Sequence, residues 1–175
     1  MKRLKPEQTD LLMQIVSPHY PNQQILHLTD GGCDLHEALC ELTKAREFEY
    51  DLRYLGSEPP KLECRDHPAM RIEPLDLGER RFNRHARLYE NIFVTLGDAL
   101  LEPDIDETLR KFYRIMKNAG VLVLLLEKGE GLSRSIDARL EESFFVAVNH
   151  IDIFDDYDVV NAKKLHGWGA YEVGF

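Results

Sequence analysis

The pattern of hydrophobic and polar positions between residues 89 and 129 is the most informative in the chain. It predicts an apolar strand, a polar loop, an amphipathic helix, a tight turn and a second apolar strand. Two strands joined by a helix of this length are expected to be parallel neighbours in one sheet, connected by a right-handed crossover. The loops of such a unit lie at the carboxyl edge of the sheet, where open α/β folds bind ligands. The pattern therefore predicts an α/β fold and a ligand-binding edge.

Shorter patterned segments on either side extend this arrangement. Strands are predicted at residues 25–29, 48–55, 70–75, 144–154 and 157–165. Helices are predicted at residues 6–16, 34–46, 79–88 and 133–142. Apolar and charged residues alternate in the strand 48–55, so one of its faces is expected to be exposed to solvent. The order of the elements predicts a mostly parallel sheet that ends in an antiparallel hairpin.

Composition and charge exclude several classes of protein. The length of 175 residues predicts one domain, residues 1–175. A net charge of −9 argues against non-specific binding to nucleic acid or to a membrane surface, because attraction to phosphates needs a basic face. Neither a signal peptide nor an apolar run of the roughly 20 residues needed for a membrane span is expected. Three cysteines do not make a disulfide framework, so a soluble protein of the reducing cytoplasm is predicted.

One part of the central unit carries a specific resemblance to a known family. Residues 109–123, LRKFYRIMKNAGVLV, place the turn Lys117-Asn-Ala-Gly120 between a helix and an apolar strand. This phrase resembles the leucine-rich helix, LKPGG turn and fifth strand of class I S-adenosylmethionine-dependent methyltransferases. Gly120 fits a helix end that needs a positive φ. The hairpin from Phe144 to Trp168 also resembles the end of that family's sheet. The resemblance implies a single Rossmann-like, three-layer α/β domain.

The loop after the first predicted strand is where the resemblance implies cofactor binding. It reads Asp30-Gly31-Gly32-Cys33-Asp34, whereas the family usually has a G-x-G-x-G loop that lets the backbone approach S-adenosylmethionine closely. Glycine permits that approach and a positive φ, so Asp30, Gly31 and Gly32 are predicted to contact the cofactor. Two adjacent glycines would equally suit a tight strand-to-helix turn without a ligand.

Polar residues at the later strand ends complete the predicted site. Glu58 follows the second strand and is the candidate for holding the ribose hydroxyls. Asp76 follows the third strand, where the family has an acid that contacts adenine. Thr95 and Asp98 follow the fourth strand and are predicted to face the substrate. No Asn-Pro-Pro-Tyr signature is present, so methylation of nucleobase amino groups has no support.

Two cysteine–histidine pairs offer a different chemistry. Cys33 and His36 are three residues apart, as are Cys64 and His67, and thiolate and imidazole groups are good zinc ligands. The spacing matches no standard zinc finger, so a semi-buried cysteine and surface histidines are expected, with no metal site. A zinc-stabilised module is the alternative that metal analysis of the purified protein would test.

Two further segments bear on partners. In the predicted helix 79–88, Arg80, Arg84 and Arg87 would share one face, and we expect that face to be solvated and paired with surrounding acids. Trp168 is expected to be a packing anchor. Residues 171–175 alternate and could add a strand to this sheet or to that of a partner chain, which favours a homodimer.

These observations favour two functions of different classes. The first is an S-adenosylmethionine-dependent methyltransferase acting on a small molecule or a protein side chain. Methyl transfer from a sulfonium needs mainly in-line positioning, so the chemistry does not require an obvious general base. The second is a non-catalytic binding or assembly module of the same fold that has lost cofactor binding. The altered glycine loop favours it, as does the proline-containing segment 56–68, which lies where a helix is expected.

Overall fold

The computed structural model describes residues 3–18, 21–64, 66–129 and 131–165. The strands in this part of the chain are β1 Gln24–Thr29, β2 Glu49–Tyr54, β3 Met70–Pro74, β4 Tyr89–Thr95, β5 Met116–Glu127, β6 Phe145–Ile151 and β7 Tyr157–Lys164. The α-helices are α1 Pro6–Ile15, α2 Leu35–Ala45, α3 Asp98–Leu101, α4 Ile105–Ile115 and α5 Ile136–Glu142. Trp168 and residues 171–175 lie outside the described residues, so the packing anchor, the tail strand and the homodimer stay predictions.

The described strands form one sheet in the order β3-β2-β1-β4-β5-β7-β6. Strands β1 to β5 pair in parallel, and β7 runs antiparallel between β5 and β6. The chain order reverses between β1 and β4, which makes the carboxyl ends of these two strands the switch point of the sheet. The predicted Rossmann-like fold, mostly parallel and ending in an antiparallel hairpin, is confirmed.

Helices cover both faces of the sheet, and each face has its own apolar core. Leu12 of α1 and Leu39 of α2 belong to one core, and Leu109 and Phe112 of α4 belong to the other. Residues 122–126 are buried and point alternately into the two cores, which explains the continuous apolar run of β5. Among the described residues, no helix is long and apolar enough to cross a membrane.

Strand β2 is buried on both faces, so the predicted exposed face is wrong. Asp51 is 6% exposed and Arg53 is 9% exposed. Arg53 Nε lies 3.5 Å from Asp51 Oδ1, and Arg53 Nη2 lies 3.0 Å from Glu73 Oε2. The Tyr89 hydroxyl donates a 2.6 Å hydrogen bond to Asp51 Oδ2. The alternating charged residues led to the prediction that one face of β2 is exposed. The pattern does not reveal that these charges pair with each other inside the protein.

Residues 79–88 form an irregular, bent segment, so the predicted basic helix is wrong. Phe82 is buried against Phe112 of α4, with ring centroids 5.4 Å apart. The guanidinium of Arg114, also on α4, donates a 3.1 Å hydrogen bond to the carbonyl oxygen of Asn83. Contacts with α4 therefore determine the path of this segment, and its arginines share no helical face.

The turn at residues 117–120, which the structure includes in the irregular start of β5, contains a glycine for a different reason from the one predicted. The positive φ, 61°, belongs to Ala119 and not to Gly120. A Cβ on Gly120 would lie 2.9 Å from the carbonyl oxygen of Lys117 and 3.1 Å from that of Glu90. Close approach of the backbone to β4, and not a left-handed conformation, requires glycine at position 120.

Candidate functional site

The loop after β1 is held by its own hydrogen bonds. The carboxylate of Asp30 accepts hydrogen bonds from Gly32 N at 2.8 Å and from Gly97 N at 2.9 Å. Gly31 has a φ of 80°, which glycine adopts without steric penalty, and its N–H donates to Thr29 Oγ1 at 3.0 Å. Asp30 thus joins the loops that follow β1 and β4 at the switch point of the sheet.

A cavity of about 930 Å³ opens beside this loop. Its lining comes from the glycine loop, the N-terminal segment, the first half of α2, the end of β2 and the segment after β2. Four residues predicted to bind the cofactor are among the lining: Asp30, Gly31, Gly32 and Glu58. The volume lies in the range of small-molecule and cofactor sites.

The N-terminal segment is a part of the site that the sequence analysis missed. Leu4 N donates a 3.2 Å hydrogen bond to Asp34 Oδ1 at the start of α2. Lys5 Nζ lies 2.5 Å from Asp155 Oδ2 in the turn between β6 and β7. These contacts bring the start of α1 to the cavity, where Asp10 lines it. The helix itself was predicted, but no local pattern indicates where it packs on the sheet.

The lining of the cavity is acidic. It carries seven carboxylate side chains, from Asp10, Asp30, Asp34, Glu37, Glu41, Glu58 and Glu63. The cationic side chains that line it are those of Arg3 and Lys61. An excess of one charge in a concave site raises the local concentration of ligands with the opposite charge. The cavity therefore favours positively charged ligands.

The two acids predicted to hold the nucleoside part of the cofactor lie in different surroundings. Glu58 is exposed and lines the cavity after β2. Asp76 is exposed after β3, and its Oδ1 accepts a 2.8 Å hydrogen bond from Gly78 N. Asp76 is not among the residues that line the cavity. Its predicted contact with adenine stays a prediction.

Thr95 lies inside the protein, at the end of a chain of buried polar groups. Its Oγ1 is 2.8 Å from His27 Nε2, and His27 Nδ1 is 3.0 Å from the Tyr50 hydroxyl. The Tyr50 hydroxyl in turn donates to the carbonyl oxygen of His36 at 3.3 Å. The Thr95 hydroxyl likewise donates to a backbone carbonyl, that of Leu28, at 3.4 Å. A neutral imidazole donates through one ring nitrogen and accepts through the other. Burial lowers the pKa of His27 to about 3, so the ring is neutral at pH 7.

Asp98, the first residue of α3, lies between the ends of β4 and β5. It is 8% exposed, and its Oδ1 accepts a 3.1 Å hydrogen bond from Glu127 N. Burial raises the pKa of Asp98 above its usual value, against the opposing effect of this hydrogen bond. The substrate-facing role of Thr95 and Asp98 stays a prediction, and in the structure neither residue borders the cavity.

The cysteines do not all remain as thiols, contrary to the expectation from the sequence. Cys40 of α2 and Cys64 form a disulfide, with their Cα atoms 6.2 Å apart. Cys33 is a buried thiol, and burial raises its pKa to about 11. The pairing was missed because it depends on the path of the loop after β2, which carries Cys64 back to α2.

The zinc alternative does not fit this arrangement. Cys64 is bonded to Cys40, His36 Nδ1 donates to the carbonyl oxygen of Cys33 at 2.9 Å, and His67 Nε2 lies 3.1 Å from Thr43 Oγ1. In the part of the chain that the structure describes, no three His, Cys, Asp or Glu side chains are placed to hold a metal ion. Both histidines are buried, whereas surface positions were expected.

Sequence comparisons place the chain in no family: no family model matches it, and no curated protein does. The fold, in contrast, is that of class I S-adenosylmethionine-dependent methyltransferases, because solved structures of such enzymes superpose on nearly the whole chain. Identities of 13% or less mean that this likeness concerns the fold.

Three of these structures give the extent of the likeness. The CurJ carbon methyltransferase matches with a TM-score of 0.66 and 13% identity over 87% of this chain and 51% of its own. A TehB-like methyltransferase from Corynebacterium glutamicum matches with a TM-score of 0.63 and 12% identity over 89% and 86%. Phosphoethanolamine N-methyltransferase 2 of Haemonchus contortus, in complex with S-adenosyl-L-methionine, matches with a TM-score of 0.65 and 11% identity over 92% and 53%. The chain thus spans about half the length of the first and the third of these structures.

Proposed function

We propose that the acidic cavity beside Asp30 binds S-adenosylmethionine and that the protein transfers its methyl group to a small molecule or a protein side chain. The observation that carries the proposal is the position of the cavity. The glycine loop after β1 and the segment after β2 both border it at the carboxyl edge of the sheet. The likeness in fold to a Haemonchus contortus methyltransferase in complex with S-adenosyl-L-methionine supports the choice of ligand.

The lining suits the charges of this cofactor, since its sulfonium and ammonium groups are positive and the cavity is acidic. In the proposal, Asp30, Gly31 and Gly32 lie against its amino-acid end and Glu58 holds the ribose hydroxyls. Asp76, in the turn after β3, is the proposed contact for adenine. The bound cofactor supplies an electrophilic methyl group. The protein's part is then to hold the acceptor in line with it and to exclude water.

On the acceptor side, Asp98 is the residue that we propose to face the substrate. It lies at the ends of β4 and β5, beside the switch point, and burial holds its pKa above the usual value. Thr95 has a supporting role in the proposal, since its hydroxyl is bonded to His27 of β1 and its carbonyl oxygen accepts a 3.2 Å hydrogen bond from Asp30 N in the glycine loop. In the proposal, Asp98 thus contacts the methyl acceptor and Thr95 supports the glycine loop.

A non-catalytic module is the second candidate, and one observation favours it. The N–H groups of Gly31 and Gly32 already donate to Thr29 and Asp30. Such amides are the groups that would otherwise hold a cofactor carboxylate, and the surrounding carboxylates repel one. A protein with this loop would keep the fold for binding or assembly without methyl transfer.

Calorimetric titration with S-adenosylmethionine and S-adenosylhomocysteine separates the two candidates. Methyltransferase function predicts one-to-one binding at micromolar affinity, weakened roughly tenfold by Glu58→Gln, a loss of about 1.4 kcal/mol. Glu79→Gln, at an exposed acid outside the cavity, is the matched control and should bind like the unmodified protein. No heat and no thermal stabilisation at millimolar ligand would reject cofactor binding and leave the non-catalytic module.

A cytoplasmic location is part of the proposal. The Cys40–Cys64 disulfide counts against this location, because such bonds persist mainly in oxidising compartments. Trapping the thiols with an alkylating reagent in intact cells, followed by mass spectrometry, would show which redox state the protein has where it works.

A further inference from the structure

The outer wall of the cavity is formed by residues 58–63, and Glu58, Lys61 and Glu63 line the cavity from it. Residues 55–64 form no helix or strand, in line with the loop predicted from residue 56 onwards, where the resembling family has a helix. A segment without regular backbone hydrogen bonds opens locally more easily than a helix or a strand. Its position therefore depends on what attaches it to the rest of the protein.

The attachments at the end of the wall run along one side of α2. Glu63 N donates hydrogen bonds to the carboxylate of Glu37 at 3.0 and 3.2 Å, in an exposed position. One turn further along the helix, Cys40 is bonded to Cys64, the residue that follows the wall. Beyond it, Lys44 Nζ lies 2.6 Å from Asp66, again at the surface, where such ion pairs are weak. Of the attachments described here, the disulfide is the covalent one.

The two bonded cysteines differ in exposure. Cys40 is 0% exposed, whereas Cys64 is 7% exposed and lines a shallow surface hollow together with Lys44 and Glu63. Since Cys64 is the more exposed of the two residues, we expect a thiolate to attack its sulfur. Cys40 is then the leaving group.

We propose that the Cys40–Cys64 disulfide is a redox-controlled latch that holds the outer wall against α2 and keeps the cavity closed on that side. A low-molecular-weight thiol opens it in two steps. The first thiolate attacks Cys64 Sγ and forms a mixed disulfide with it, the S–S bond breaks, and its electron pair stays on Cys40 Sγ, which takes up a proton from solvent. A second thiolate attacks the sulfur of the first reagent, which releases Cys64 as a thiol and leaves the reagent as its disulfide. The latch does not require a bound cofactor, and only its effect on affinity rests on the proposed function.

Limited proteolysis tests the latch without any ligand. Trypsin can cut after Lys61, which is exposed on the wall. Reduction is expected to speed this cleavage on the order of tenfold, because the wall then opens without unfolding of the sheet. Cys64→Ser should be cut at the faster rate under both oxidising and reducing conditions. Cys33→Ala is the matched control, since it removes the buried thiol and keeps the disulfide, and it should respond like the unmodified protein.

Two results would overturn the proposal. One is mass spectrometry showing three free thiols after equilibration with a low-molecular-weight disulfide. The other is an equal rate of cleavage after Lys61 in both redox states. If Cys64→Ser does not fold, reduction of the unmodified protein gives the same comparison.

Titration with S-adenosylmethionine in both redox states then tests the effect on the cavity. We expect binding to weaken roughly tenfold on reduction, because the wall must be ordered again when the ligand binds. Equal affinity in both states would overturn the link between latch and cavity. Absence of binding in both states would reject the proposed function while the proteolysis result still decides on the latch.

Discussion

Asp30 and Gly97 connect the two loops at the switch point of the sheet: Asp30 Oδ2 accepts a hydrogen bond from Gly97 N at 2.9 Å. The other oxygen of the same carboxylate accepts from Gly32 N. One side chain therefore fixes the loop after β1 and the loop after β4 relative to each other. The shape of the cavity edge depends on this carboxylate as much as on the two glycines.

Replacing Asp30 by alanine should destabilise the protein as well as alter the cavity. Two backbone N–H groups lose a charged acceptor, for which we expect a loss of about 2 kcal/mol in the free energy of unfolding. Urea denaturation of Asp30→Ala and Asp10→Ala measures this, since Asp10 is an exposed carboxylate of the same cavity. Equal stability of the two variants would contradict the bridging role of Asp30.

The buried ring of His27 predicts a loss of stability in acid. Its pKa is about 3 in the folded protein and about 6.5 in the unfolded chain, so only the unfolded state takes up this proton in between. The contribution of neutral His27 to the free energy of unfolding is complete above pH 6.5. It is lost as the pH falls, by up to about 1.4 kcal/mol per pH unit. Denaturation between pH 4 and pH 7 should therefore give a shallower pH dependence for His27→Gln. An unchanged pH dependence would show that His27 is protonated or accessible in the folded state.

His150 predicts the opposite pH dependence. Its ring nitrogens lie 2.8 Å from Asp158 on β7 and 2.7 Å from Asp137 on α5, and these hydrogen bonds raise its pKa. Its contribution is therefore complete below the unfolded pKa of about 6.5 and is lost as the pH rises through the raised folded value. Because His150 is 36% exposed, screening limits the effect to less than about 1 kcal/mol. His150→Gln should thus lower stability more at pH 6 than at pH 9, and an equal loss at both would contradict the ion pairs.

The turn at residues 117–120, at the start of β5, gives a pair of substitutions with opposite signs. Gly120→Ala should destabilise the protein by about 1–3 kcal/mol, because the added Cβ meets three carbonyl oxygens at 2.9 to 3.2 Å. Ala119→Gly should be neutral or stabilise by up to about 1 kcal/mol, since Ala119 has a φ of 61° that glycine adopts freely. Thermal unfolding of both variants measures the difference. If Ala119→Gly were the more damaging substitution, the turn would have a different backbone.

The sequence predicted the central part of the fold well because buried parallel strands and amphipathic helices leave clear patterns. The apolar strand at residues 121–126 and the helix before it could be predicted without knowledge of distant contacts. The segment 79–88 was predicted as a helix because its arginines have helical spacing. Phe82 and the carbonyl oxygen of Asn83 instead contact α4, and such tertiary contacts override local preference.

For the candidate site, the sequence predicted the part that lies on a single loop. Asp30, Gly31 and Gly32 are consecutive and follow a strand, so their place at the sheet edge could be predicted. The position of the start of α1 and the disulfide partner of Cys64 could not be predicted from the sequence. Both depend on where irregular segments pack on α2. Thr95 was placed at the correct strand end, but the direction of its side chain towards His27 depends on the register between strands.

An NMR titration of the isotope-labelled protein would show directly whether S-adenosylmethionine binds in the acidic cavity. We expect saturable shifts for the backbone amides of residues 30–34, 55–58 and 61–63, while the amides of strand β6 stay unchanged. S-adenosylhomocysteine should perturb the same amides more weakly, because it lacks the sulfonium charge that the carboxylates attract. Shifts confined to other parts of the sheet, or none at millimolar ligand, would contradict the assignment of this cavity as the cofactor site.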